Sequence, residues 1–306
     1  MRSNRVVYKL LGVVMLLAVL VIAGCGGGGS GAGNGSTNKG NITVGSKNDP
    51  DSQLLGTMYA LLLQHAGYTV TTKIPLGQTP VLDAAIKSGS IDVYPEFTGT
   101  SLTVYKLPAT QNPQQAYQSV ASYYEQNFKL TWLDPAYNLN DSYAICTSPQ
   151  VAQQRNLKSL DDLVPIASQL TIATQQDGVA AAIDPVQTTY SLHFKAQKTV
   201  TEPLGFDAVK TGQADLNVCY TTDPAIVTNN FVVLTDSKGV FPIYNPAPVV
   251  RDSVLSSHPD IKTVLNPLET KLTTDEIVKL IKQKEVDHQP VRQVAQTWLQ
   301  QQGLLS

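Results

Sequence analysis

Charge of either sign is scarce in this chain. Charged residues make up 15% of its 306 residues, with 22 basic against 24 acidic. No basic field exists that could grip a nucleic-acid backbone. Histidine is rarer still, with 4 residues scattered at His65, His193, His258 and His288. That is too few and too dispersed for a metal centre. The 3 cysteines cannot build a disulfide scaffold. Motifs that carry chemistry are missing as well: no GxSxG elbow, no HExxH, no Cys-x-x-Cys pair, no phosphate loop. The adjacent carboxylates Asp161 and Asp162 precede Leu163 in a helix-start context, which is capping chemistry. The chain thus reads as one without catalytic residues, metal or cofactor. What it does have is apolar residue, 42% of the total, enough to build one large domain or two lobes.

The first segment stands apart from any fold. Arg2, Arg5 and Lys9 precede an apolar run of 14 residues, LLGVVMLLAVLVIA, at positions 10–23. Such a run is short for a bilayer span and typical of a signal-peptide core. It ends in Ile22-Ala23-Gly24-Cys25, which resembles the lipobox of bacterial lipoproteins, where the cysteine thiol is lipidated and becomes the new N-terminus. An ordinary signal peptide or an uncleaved anchor is the competing reading. We therefore expect a signal segment at 1–24, lipidation at Cys25 and a Gly/Ser-rich tether at 25–40. Removing the signal leaves 22 less 3, or 19, basic residues against 24 acidic ones, a net charge of −5. The expected place is outside the cytoplasmic membrane, lipid-anchored to it, where ATP-driven and nicotinamide chemistry have no supply.

From residue 41 the pattern alternates. NITVGS reads as a strand, and Asp49-Pro50 as a helix start. Leu54, Met58, Leu61, Leu62 and His65 line one helical face, and Gly67 is the stop. YTVTTKI is a second strand. Thr79-Pro80 caps a second helix that ends at Gly89, and IDVY is a third strand stopped by Pro95. Strands alternating with helices imply an α/β architecture with parallel sheets. The order recurs further on: LTIATQQDG at 170–178 parallels ITVGSKNDP at 42–50, and PLGFDAVKTGQADLNV at 203–218 parallels PLGQTPVLDAAIKSGSIDV at 75–93. We expect two similar lobes, one from 41–138 and 245–306, the other from 139–244, joined by extended crossings near 134–143 and 240–248. Two closing helices, from about Asp275 to Asp287 and from Pro290 to before Gly303, return to the first lobe.

Open parallel sheets bind ligands at the carboxyl ends of their strands. Tyr94 closes the third strand, and Tyr220 lies just past its counterpart. Tyr137 and Tyr244 sit in the outgoing and returning crossings. One tyrosine at a strand end is usually packing; four at these topological positions point to a shared cleft. A ring of aromatic faces holds a cation that has no N–H to donate, such as a quaternary ammonium.

These residues also carry a resemblance. GSKNDPDSQLLGTMYALLLQHAGY, LGQTPVLDAAIKSGSIDVYPEFTGTSL, WLDPAYNLNDSYAI, YTTD and FPIYNPAPVVR resemble the osmoprotectant (glycine betaine, carnitine, choline) substrate-binding lipoproteins of ABC importers, over nearly all of 41–306. The resemblance implies a two-lobed, type II periplasmic-binding-protein fold with a two-strand hinge, closing on its ligand and docking on permease subunits served by a cytoplasmic ATPase. It implies an aromatic cage at Tyr94, Tyr220 and Tyr244, with Tyr137 the weaker fourth member because its loop differs from those of relatives. Gln78 in the LGQT turn, Lys47 and Thr98 of the TGT loop are the polar candidates. Residues 159–194 hold no Lys or Arg, where relatives that clamp a carboxylate often have one, so choline-like cations stay open. Another betaine-like solute, or a ligand-sensing role for the same lipoprotein fold, are the alternatives. Cys146 and Cys219, both on strands of the second lobe, could be a disulfide or two buried thiols.

Overall fold

The structure is a computed structural model that describes residues 38–306. The signal segment, the lipidation expected at Cys25 and most of the tether lie outside the described residues. Two five-stranded sheets organise the rest. The first contains β1 (Asn41–Lys47), β2 (Thr69–Gly77), β3 (Val93–Phe97), β4 (Leu130–Trp132) and β10 (Pro246–Arg251), in the order β2-β1-β3-β10-β4. The second contains β5 (Tyr143–Thr147), β6 (Thr171–Thr174), β7 (Ala196–Thr199), β8 (Leu216–Tyr220) and β9 (Val232–Val233), in the order β7-β6-β8-β5-β9. The two orders are the same. In each sheet three parallel strands are followed by one that runs antiparallel, and in each that strand comes from a crossing: β10 on return, β5 on departure.

The internal repeat extends to single atoms. Asp92 donates its N–H to the Thr43 carbonyl at 2.8 Å and accepts the Thr43 N–H on its carboxylate at 2.8 Å. Asp215 does the same with Thr171, at 2.8 Å and 2.8 Å. Each carboxylate closes the otherwise open start of a parallel ladder. Upstream of each, a glycine with positive φ ends the preceding helix, Gly89 at 79° and Gly212 at 71°, a conformation that costs little only without a Cβ.

Helix Pro50–His65 is buried nearly all round, not on one face. It lies between the first sheet and the closing helices, so Leu54, Leu55, Met58, Leu61 and Leu63 share a core with Ile277, Ile281, Val294 and Trp298. The closing helices span Thr274–Glu285 and Val291–Gln301, and Thr273 caps the former by accepting the Glu276 N–H. The other face of the first sheet packs Leu82, Ile86, Leu102 and Tyr124.

The crossings run beside one another and are hydrogen-bonded. Leu133 N–H donates to Pro248 O at 2.8 Å, Ala136 N–H to Pro246 O at 2.9 Å, and Asp141 N–H to Tyr244 O at 3.1 Å. Asn245, fully buried, donates from Nδ2 to Leu139 O at 2.7 Å. Thr98 joins this seam: its Oγ1 donates to Ile243 O at 2.9 Å and accepts the Asn245 N–H at 3.0 Å.

Cys146 and Cys219 form a disulfide, resolving the open question of their state. It links β5 to β8 inside the second lobe's core and closes a loop of 73 residues. Reduction should lower unfolding free energy by roughly 2–4 kcal/mol, since the denatured chain regains the entropy of that loop. Urea denaturation of the Cys146→Ser, Cys219→Ser double variant against wild type measures this; coincident curves would show the bond to be thermodynamically silent.

Candidate functional site

A cleft of about 620 Å³ lies between the sheets, at the carboxyl ends of the parallel strands. β1, the following turn and the first turn of helix Pro50–His65 supply Lys47, Asn48, Asp49 and Asp51. β3 and the helix after it supply Phe97, Thr100 and Thr103. The crossings supply Asp141 and Tyr244; the second sheet supplies Tyr143 and Tyr220, and the segments just after β6 and β8 supply Gln175, Thr222 and Asp223.

Aromatic rings gather at its centre. Tyr143 and Tyr220 are cross-strand partners on β5 and β8, with ring centroids 4.6 Å apart at 37°. The Tyr220 hydroxyl donates to that of Tyr143 at 2.9 Å. Tyr244 meets Tyr143 edge to face, at 6.3 Å and 83°. Gly99 makes room for Tyr244, because a Cβ at position 99 would stand 2.3 Å from the ring's Cδ2. Phe97 completes the set from the first sheet, with the Lys47 ammonium 4.7 Å from its centroid.

The expected site residues divide. Tyr220, Tyr244, Gln78 and Lys47 line the cleft. Tyr94 does not: it is fully buried on the opposite face of the first sheet, and its hydroxyl donates to Glu96 at 3.3 Å. Pro95 does not end β3. It sits opposite Pro248 in the β3–β10 ladder, and the strand continues to Phe97. Strand alternation then turns Tyr94 into the core and leaves Phe97 at the strand end. Tyr137 is 41% exposed, stands against Tyr117 at 6.4 Å and stays outside the cleft. Thr98 is consumed by the crossing seam, and Thr100 and Thr103 face the cleft instead. Phe97 and Tyr143 were missed. Phe97 lay in plain view in YPEFTGT. Tyr143 was hidden because only the antiparallel direction of β5 brings its first residue beside the last residue of β8.

The charges are lopsided. Lys47 is the only basic residue among the described cleft-lining residues, and its ammonium donates to Glu96 at 2.7 Å with both side chains buried. Burial pulls the lysine down, but Glu96 and the nearby aspartates more than offset it. Against this one pair stand four aspartates. Asp51 accepts the Ser52 N–H at 2.7 Å on one oxygen; the other is buried with no donor in reach. Burial, then the neighbouring Asp141, push its carboxyl well above the usual range. Burial likewise raises Asp141, whose carboxylate receives the Thr222 hydroxyl. Asp49 is the N-cap residue just before Pro50 but makes no side-chain cap bond; it faces the cleft. Among the described residues no cluster could hold a metal ion, and no helix is long and apolar enough to cross a membrane.

The chain is similar to known proteins. Residues 40–301 match the family of the substrate-binding domain of the ABC-type glycine betaine transport system. The chain belongs to that family. It is 31% identical over 277 residues to the glycine betaine-binding protein YehZ of Escherichia coli (strain K12), covering 86% of this chain and 90% of that one. It is 28% identical to the carnitine transport binding protein OpuCC of Listeria monocytogenes, covering 95% of each. The solved structure of apo YehZ superposes with a TM-score of 0.71 at 30% identity, over 86% of this chain and 99% of that one. A glycine betaine/carnitine/choline ABC transporter structure gives 0.76 at 22% identity, over 87% and 100%, and shares the type II fold. Members of this family are substrate-binding proteins of ABC-type transport systems.

The pH dependence of the cleft follows from Asp49. Burial, then the charge of Asp51, raise its carboxyl from 3.8 to about 6. Between these values the folded chain keeps a proton that the unfolded chain has lost. That contribution to stability is complete below 3.8 and gone once the pH has risen through about 6. A bound cation favours the ionised form. Affinity for tetramethylammonium should therefore rise from mildly acidic to neutral pH, on the order of threefold to tenfold. Asp49→Asn should flatten the profile. Calorimetric titrations across that range decide it, and a flat wild-type profile would remove Asp49 from the site.

Proposed function

We propose that this protein captures a quaternary ammonium osmoprotectant (glycine betaine, choline, carnitine or a close analogue) outside the cytoplasmic membrane and hands it to the permease of an ABC importer. The observation that carries this reading is the aromatic cluster of Phe97, Tyr143, Tyr220 and Tyr244 in a cleft rimmed by Asp49, Asp51, Asp141 and Asp223. A trimethylammonium group has spread positive charge and no N–H. Aromatic faces attract it through their quadrupole, and no hydrogen-bond acceptor need be aimed at it. Each desolvated ring contributes about 1–2 kcal/mol, and three or four rings with methyl burial approach the roughly 8 kcal/mol of micromolar binding. The surplus of carboxylates adds a field of the right sign. The names of the relatives, for glycine betaine and carnitine, support the same ligand class.

The remainder of the reading concerns motion and place. The lobes of 41–138 with 245–306 and of 139–244 turn about the paired crossings and close on the ligand. A lipid on Cys25 and the tether of 25–40 hold the domain near its permease, whose ATPase works on the cytoplasmic side.

Calorimetry on ring variants tests the cage. Tyr143→Ala, Tyr220→Ala, Tyr244→Ala and Phe97→Ala should each weaken choline binding about tenfold or more. Tyr→Phe changes at the three tyrosines keep the ring face and should cost little. The neutral isostere 3,3-dimethylbutanol, with carbon in place of the ammonium nitrogen, should bind much more weakly than choline. Tyr94→Phe should leave affinity unchanged. Equal binding of cation and isostere, or alanine variants that bind like wild type, would sink the reading.

A further inference from the structure

Beyond the aromatic cluster, the cleft lining includes Gln175. This residue follows β6 directly, the place in the second lobe that Lys47 has at the end of β1 in the first. Its side chain lines the cleft, and both amide atoms, Nε2 and Oε1, are buried without a hydrogen-bond partner. A buried amide with neither donor nor acceptor satisfied carries a penalty that a matching ligand group removes. The surroundings keep the space open. Gly178 has no side chain there, and a Cβ would stand 2.3 Å from Thr174 Oγ1 and 3.2 Å from Gln175 Oε1.

We infer that Gln175 is the specificity determinant for the ligand's tail, and that it selects an uncharged hydroxyl over a carboxylate. This rests on the quaternary-ammonium reading of the same cleft. Two observations carry it beyond that reading. The first is the hydrogen-bonding character of the amide. A hydroxyl both donates and accepts, so it satisfies Oε1 and Nε2 together. A carboxylate only accepts; it would satisfy Nε2 and set its negative charge against Oε1. The second is the charge balance of the walls. The Lys47 ammonium is tied to Glu96 at 2.7 Å, so it offers a tail carboxylate no unpaired positive charge. Asp49, Asp141 and Asp223 line the same cleft and repel it. The walls thus suit a ligand with a net positive charge better than a zwitterion.

Three probes share one trimethylammonium head: choline with a hydroxyl tail, glycine betaine with a carboxylate, and ethyltrimethylammonium with no polar tail. In calorimetry at neutral pH, wild type should bind choline about tenfold or more tighter than glycine betaine. Gln175→Leu should weaken choline by about tenfold and leave ethyltrimethylammonium unchanged, which also shows that the variant is folded. Gln175→Arg, which supplies the missing charge, should reverse the order of choline and glycine betaine. Glycine betaine binding as well as or better than choline to wild type would overturn the inference, and so would a choline-to-ethyltrimethylammonium ratio unmoved in Gln175→Leu. In both cases the cage reading survives if ethyltrimethylammonium binds. If ethyltrimethylammonium fails to bind wild type, the cage reading falls and this inference falls with it.

Discussion

The hydrogen-bonded seam between the two crossings is the constraint on which the rest depends. Leu133, Ala136 and Asp141 donate from one strand to Pro248, Pro246 and Tyr244 on the other. Because the chain leaves and re-enters the first sheet side by side, each lobe receives one antiparallel strand, and the strand order repeats. The seam also puts Asp141 and Tyr244 at the floor of the cleft, where neither sheet alone would place them. Prolines in the returning segment suit this role. They fix φ, and they remove N–H groups that would otherwise need partners where the strand turns into a new sheet.

Much of the architecture was legible in the residues. Alternating strand and helix patterns, the recurring PLG and Lys-(Ser/Thr)-Gly signatures, and glycines at helix ends gave two α/β lobes, because burial periodicity and backbone freedom are local properties. The site was less legible, since facing a cleft depends on strand parity and strand direction. Pro95 illustrates the first. Read as a strand stop it put Tyr94 at the rim; held opposite Pro248 it lets the strand run on, and Phe97 takes that position. Tyr143 illustrates the second, since its role arises from an antiparallel neighbour 77 residues away. Gln175 sat inside the repeat that was recognised, but no pattern in the sequence shows an amide left without partners.

The carboxylates show a site built against stability. Burying Asp51, Asp141 and Asp49 together raises all three above the ordinary aspartate range, and burial is the largest cause in each. A core designed for stability alone would hold apolar residues in those places. What the arrangement supplies is a carboxylate-rich lining beside aromatic faces, which suits the diffuse cation proposed as ligand. Glu269, buried in the first lobe and raised to about 8 by its surroundings, is a different case: the Tyr59 hydroxyl donates to it at 2.8 Å, inside the core and away from the cleft.

The division of the aromatic rings has a further consequence. Tyr143 and Tyr220 stand on adjacent strands that the disulfide ties together, while Phe97 belongs to the first sheet. The rings are therefore carried by different sheets, and under the proposed closure a ligand held by all of them would have to find both sheets in apposition. The dissociation constant measured in solution is then the intrinsic constant divided by the fraction of molecules already in that arrangement. Under the same proposal, seam residues that touch no ligand, Asn245 and Thr98 among them, would set that fraction. Two relatives with identical rings can thus differ in apparent affinity through their seams alone.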